Sequence, residues 1–157
     1  ENAFGLRMSD LVISGEDLIF SNNRNEFYSL SLVNGILNWK QDINSSVRPV
    51  VINNLVFTFS NDGYFFLIDK KTGNIIRITD IFNNFKEKKR DQIKPTGFIV
   101  GLNKIYLSTS NGKLLVIDIS SGKTLSTLKI DNQKISRPYV LNKNLFVIKD
   151  NGIIKLN

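Results

Sequence analysis

Apolar residues along this chain fall in short runs broken by polar clusters, and the order of runs and clusters repeats. Four stretches, starting at Leu11, Val50, Phe98 and Tyr139, share one plan. Each has an apolar run, a polar turn, a second run, a turn at Asn25-Glu26, Asp62-Gly63, Asn111-Gly112 or Asn151-Gly152, and a third run. The first three continue through a turn ending in Gly35, Gly73 or Gly122 into a fourth run. Gly35 to Gly73 spans 38 residues and Gly112 to Gly152 spans 40, while Gly63 to Gly112 and Gly73 to Gly122 each span 49. The longer interval contains an insertion. All 3 prolines hold one place, because Pro49, Pro95 and Pro138 each precede the first run of a repeat. Proline is tolerated there, at the start of a strand, where no ladder donor is needed.

The runs predict strands. Tyr64-Phe65-Phe66-Leu67-Ile68 and Leu114-Leu115-Val116-Ile117 are short and rich in aromatic and branched residues, and no segment sustains a helical period. Asp62-Gly63 and Asn111-Gly112 predict tight hairpins with type I′ turns, which need positive φ at both central residues. Each repeat then reads as a four-stranded antiparallel meander. Its strands are apolar on more than one face, so neighbouring sheets must cover them, and radial packing of four-stranded blades does so. The expectation is an all-β chain, a β-propeller fragment of about four four-stranded antiparallel blades with the last incomplete. The blades fall at approximately 8–43, 47–82, 94–131 and 136–157, with an insertion at 80–93, in a single partial propeller domain over 1–157.

The pattern Asp-Gly-x-x-x-x-x-Asp-x-x-x-Gly-x-x-x-Trp resembles the repeat of the pyrroloquinoline-quinone-type (quinoprotein-like) propeller family. It reads Asp62-Gly63, Asp69 and Gly73 in the second repeat, and Asn111-Gly112, Asp118 and Gly122 in the third. The first repeat keeps Gly35 and Trp39, with Ser31 in the aspartate place. The resemblance implies that the repeat-ending Trp packs between blades. Only Trp39 provides one, and Arg77 and Ser126 stand in the next two places. Within the family, the short plain repeats are most similar to the cofactor-free scaffolds of outer-membrane β-barrel assembly. That likeness implies a bacterial periplasmic or cell-envelope location, protein partners bound through blade loops, and membrane attachment only through a lipidated Cys upstream of this piece.

Composition narrows the chemistry. The 157 residues contain no Cys and no His, which removes thiol nucleophiles, Cys/His zinc sites and the usual general base. Family dehydrogenases hold a quinone over calcium and often carry an adjacent Cys pair, which is missing here. Calcium also wants clustered oxygen ligands, whereas the acidic residues are scattered through turns. Asp69 and Asp118 read either as metal or catalytic carboxylates or, since they recur at the repeat period, as side chains bonding the backbone of their turns. Neither a phosphate-cradling glycine loop nor an activated serine is present. The reading is a non-enzymatic scaffold with no catalytic residue, no cofactor and no metal. The alternatives are a fragment of a quinone-dependent dehydrogenase or a propeller sensor domain.

The insertion is the most charged segment. Phe82 and Phe85, three apart, fit the apolar side of a short helix, with Lys86, Lys88, Lys89 and Arg90 on its charged side. Insertions in propellers map to loops on one face, often the binding face. The segment reads either as a docking loop for an acidic or phospholipid partner or as a solvated connector whose rings pack on the blade. The net charge of +7 admits anionic partners, although most aromatics lie within strand runs, which argues against specific nucleic-acid binding. The last repeat stops one residue short of the aspartate place. Asn157 therefore reads as a natural C-terminus and Glu1 as a cut within a ring of about seven or eight blades. Open ends of that kind predict self-association. The rival is a closed four-bladed ring completed by residues 1–7.

Overall fold

The computed structural model describes residues 8–156 other than Asn23, and of Glu87 the backbone alone. The reading of residues 1–7 as a closing strand lies outside the described residues. The chain is all-β. Its strands are β1 (Val12–Ser14), β2 (Asp17–Asn22), β3 (Glu26–Ser31), β4 (Leu37–Gln41), β5 (Val50–Ile52), β6 (Leu55–Phe59), β7 (Tyr64–Asp69) and β8 (Ile75–Asp80), then β9 (Pro95–Val100), β10 (Lys104–Thr109), β11 (Lys113–Asp118), β12 (Thr124–Lys129), β13 (Tyr139–Leu141), β14 (Asn144–Lys149) and β15 (Gly152–Leu156). One helical turn, α1 (Glu87–Arg90), lies between β8 and β9. The strands form three four-stranded sheets and one three-stranded sheet, each an antiparallel meander in chain order. Two compact units result, divided between Ile78 and Thr79.

Burial follows position in the meander. The inner strands β6 and β11 are buried along almost their whole length, whereas the last strands β8 and β12 are largely exposed. This explains the apolar runs at Leu55–Phe59, broken only by the buried Thr58, and at Leu114–Ile117, which must be covered on both faces. In the first unit Ile19, Phe27, Trp39, Ile43, Val56 and Ile68 form one cluster joining its sheets. Buried hydroxyls there are paired: Ser21 donates to the Ser45 carbonyl at 2.8 Å, and Ser45 meets Thr58 at 3.2 Å. In the second unit Phe98, Ile105, Leu107, Leu114 and Val147 are buried, and so are Ile81, Phe82 and Ile93 of the long connector.

The hairpins correct one expectation. Positive φ occurs at Gly63 (88°) and Gly112 (74°) but not at Asp62 or Asn111. The Gly63 N–H donates to the Ser60 carbonyl at 3.1 Å, and the Ser60 N–H donates to the Tyr64 carbonyl at 2.9 Å. This is a three-residue loop, a type I turn followed by a left-handed glycine bulge. The type I′ turns lie elsewhere, at Asn142-Lys143 (φ 50° and 63°) and Asp150-Asn151 (φ 45° and 63°), both in the three-stranded sheet.

The connector corrects another. Phe82 and Phe85 precede α1 and do not form its apolar side. They sit in a turn held by the Phe85 N–H on the Phe82 carbonyl at 2.9 Å, with their rings edge to face at 5.3 Å.

Candidate functional site

The repeat-specific side chains fix turns. Asp69 accepts the Thr72 N–H at 2.8 Å and the Thr72 hydroxyl at 2.9 Å on one carboxylate oxygen, and the Asn54 amide at 2.5 Å on the other. The Gly73 N–H closes the same turn on the Asp69 carbonyl at 2.8 Å. Asp118 repeats the pattern with the Ser120 and Ser121 hydroxyls at 2.6 and 2.7 Å and the Ser121 N–H at 2.7 Å. Bonds from the Thr72 backbone and hydroxyl hold the Asp69 carboxyl below its ordinary range. The Ser120 and Ser121 hydroxyls bring Asp118 down to about 2. Ser31 fills the place with an oxygen that accepts the Val33 N–H at 3.2 Å. A hydroxyl can do this work, so the motif tolerates Ser there. Among the described residues no three His, Cys, Asp or Glu side chains cluster as metal ligands.

Trp39 joins the two sheets of the first unit. Its ring stacks on Phe27 at 5.8 Å, and its indole N–H donates to the Lys70 carbonyl at 2.7 Å in the Asp69–Gly73 turn. The ring lies so close to Gly73 that a β-carbon there would fall 2.5 Å from Trp39 Cγ. Gln41 adds a bond to the Gly73 carbonyl at 2.7 Å. Beside this joint a cleft is lined by Asp17, Asn38, Asn54, Lys70 and Lys71. Most of its polar groups are engaged: Asp17 takes Lys70 at 2.8 Å and Asn38 at 2.9 Å. In the second unit, Ser126 occupies the Trp place and is exposed.

The connector singled out in the sequence divides by burial. Phe82 is fully buried and Phe85 half-buried, while Lys86, Lys88 and Lys89 are exposed. Arg90 turns back to Asp80 in an ion pair of 2.6 Å. Sequence reasoning missed what lies next to it. The Lys113 ammonium stands 4.5 Å over the Phe85 ring. Lys113, at the start of β11, faces Lys129 at the end of β12. Lys94 donates its N–H to the hydroxyl of Ser110, in the turn leading to Lys113, at 2.9 Å. One end of this sheet is therefore ringed by lysines from three parts of the chain.

Comparison with known proteins agrees with the repeat. Residues 2–79 match the family described as outer membrane protein assembly factor BamB. BamB of Escherichia coli is 29% identical over 107 residues, which are 68% of this chain and 24% of that protein. The chain thus spans about a quarter of that curated relative's length. BamB from Moraxella catarrhalis superposes with a TM-score of 0.74 at 13% identity, over 94% of this chain and 41% of that one. The computationally designed protein Ika4 superposes with a TM-score of 0.74 at 12% identity, over 99% of this chain and 93% of that one. Those two likenesses bear on the fold alone. The chain is built of β-propeller repeats, and it is similar in sequence to the outer membrane protein assembly factor BamB.

Proposed function

We propose that this chain is part of a non-enzymatic propeller scaffold. It binds protein partners through its blade loops during the assembly of outer-membrane proteins, on the periplasmic side of the envelope. The observation that carries the reading is the family match over residues 2–79. The geometry supports it, because Asp69 and Asp118, the carboxylates that recur with the repeat, are engaged by their own turns. Lone carboxylates of this kind are not poised for proton transfer or for calcium, which asks for several clustered oxygens.

Two measurements test the proposal. The full-length protein is captured from cross-linked, detergent-solubilised envelopes and the bound fraction is identified by mass spectrometry. Components of the outer-membrane β-barrel assembly machinery are expected, and a capture without them overturns the assembly reading. Calorimetry with calcium and pyrroloquinoline quinone should give no binding tighter than about millimolar, the weak end of protein calcium sites. Micromolar binding would overturn the non-enzymatic reading.

A further inference from the structure

The lysine-ringed end of the β9–β12 sheet has a feature that stability does not explain. Lys113 and Lys129 are paired directly across antiparallel strands. Like charges in that position are destabilising. A carboxylate at either site would turn the same contact into an attraction. The connector reaches this pair through Phe85, whose ring lies under Lys113, and it carries Lys86, Lys88 and Lys89 next in sequence, while Lys94 at the entry to β9 is tied to the Ser110 turn; all four lysines are exposed. None of the four has an ion-pair partner among the described residues. Of the nearby acids, Asp80 is committed to Arg90, and Asp131 to Lys149 and to backbone N–H groups, while Glu87, between Lys86 and Lys88 in the sequence, offsets one of the lysine charges. Asp91 is exposed and is a minor offset.

From this placement we infer that the end of the sheet formed by Lys86, Lys88, Lys89, Lys94, Lys113 and Lys129 is a docking surface for an acidic segment of a protein partner. The inference rests on the protein-scaffold reading above. Charge complementarity selects the ligand class, since a field of one sign concentrates and orients an oppositely charged partner. The aromatic rings decide between a protein and a lipid surface. Phe82 is fully buried and Phe85 lies under Lys113, so the connector presents no ring for insertion among lipids. Interfacial membrane elements pair their cations with exposed Trp, Phe or Leu. The cations left free are lysines, which act as mobile point charges and suit a run of carboxylates whose positions vary.

The test measures fluorescence anisotropy of a labelled peptide with Glu and Asp at alternate positions, titrated with the wild-type chain. Two charge-matched variants are compared: Lys86→Glu/Lys88→Glu/Lys89→Glu, and a control reversing Lys71, Lys123 and Lys155 elsewhere. Circular dichroism checks that each remains folded, and Lys113→Gln/Lys129→Gln gives a milder second variant. Binding should weaken with salt. It should fall at least about tenfold in the connector variant, roughly 1.4 kcal/mol, and much less in the control. Equal loss in the connector variant and the control, or no loss in either, overturns the inference. So does selective loss of co-sedimentation with phosphatidylglycerol vesicles while peptide binding is unaffected, which would assign the surface to lipid. Capture of the assembly machinery is read on the same proteins. Its absence with wild type sinks the assembly reading while leaving the peptide result standing.

Discussion

Trp39 and Gly73 form a joint whose energetics can be dissected. Gly73 has a φ of 75°, and a β-carbon there would meet Trp39 Cγ at 2.5 Å and Cβ at 2.7 Å. Gly73→Ala therefore carries two costs, the left-handed backbone at about 1–2 kcal/mol and displacement of a packed indole, comparable to overpacking at about 1–3 kcal/mol. Trp39 is 7% exposed, so Trp39→Ala should cost about 3–5 kcal/mol. It also strands the Lys70 carbonyl that the indole caps. The two changes should not add. Once the ring is gone the added methyl has room, and Gly73→Ala then costs only its backbone share. Neighbours that share a contact show coupling of about 0.5–3 kcal/mol, and about 1–3 is expected here by that same logic. Urea unfolding followed by circular dichroism measures the four corners of the cycle. Where Trp39→Ala leaves too little folded protein, Trp39→Leu serves in its place. In the wild-type background the chain's single Trp makes fluorescence a direct report on this joint. An equal cost of Gly73→Ala with and without the indole would refute the reasoning.

Other outcomes follow from the same contacts. Gly35 and Gly112 share nearly the same φ, 71° and 74°, but a β-carbon meets nothing at Gly35 and meets the Asp131 and Gln133 carbonyls at 2.5 Å at Gly112. Gly35→Ala should cost about 1–2 kcal/mol and Gly112→Ala distinctly more by denaturant midpoint. The Asp118 carboxyl, bonded by the Ser120 and Ser121 hydroxyls, should titrate near 2 by NMR. Because its folded value lies below the ordinary aspartate value of about 3.8, its stabilisation is present above about pH 4 and is lost as pH falls towards 2. Asp118→Ser should be better tolerated than Asp118→Ala, since Ser31 performs this role in the first repeat. Ser21→Ala should cost about 1 kcal/mol by removing a buried bond. Ser108→Ala should be neutral or stabilising, because that hydroxyl is buried without a hydrogen-bond partner among the described residues. Lys86→Ala, Lys88→Ala and Lys89→Ala together should shift stability by no more than about 0.5 kcal/mol.

The strands were legible because their signals are local. Short apolar runs rich in branched and aromatic residues, and the turn glycines Gly63 and Gly112 just before them, mark Tyr64–Asp69 and Lys113–Asp118 without knowledge of neighbours. The hairpin type was not legible. Asp-Gly suits a type I′ turn, but it also suits a type I turn closed by a left-handed glycine, and loop length decides between them. That length is set by the pairing of Ser60 with Tyr64, which local composition does not specify. The meeting of Lys113 with Lys129 was hidden for a related reason. The β11–β12 register shifts between Val116 and Ile117, so counting back from the Gly122 turn puts the wrong residue opposite Lys113. A bulge of one residue changes every pairing beyond it. Phe82 and Phe85 showed the helical spacing without the helix, because a turn also brings residues three apart together.

The repeat also indicates where function can be written. Positions that recur, such as Asp69, Gly73, Asp118 and Gly122, are committed to closing turns, and altering them disturbs the sheet itself. Positions outside the repeat carry no such duty. The connector between β8 and β9 divides its residues accordingly. Ile81, Phe82 and Ile93 are buried and Arg90 is tied to Asp80, which anchors the segment. Lys86, Lys88 and Lys89 bond nothing through their side chains in the described structure and stand in solvent. Sequence can vary at these lysines with little effect on stability, while any change there alters the charge the loop would offer the proposed acidic partner. The anchoring residues hold the loop in one place and the free lysines give it a sign. A scaffold that keeps its blades constant and discriminates among partners needs those two properties in the same loop.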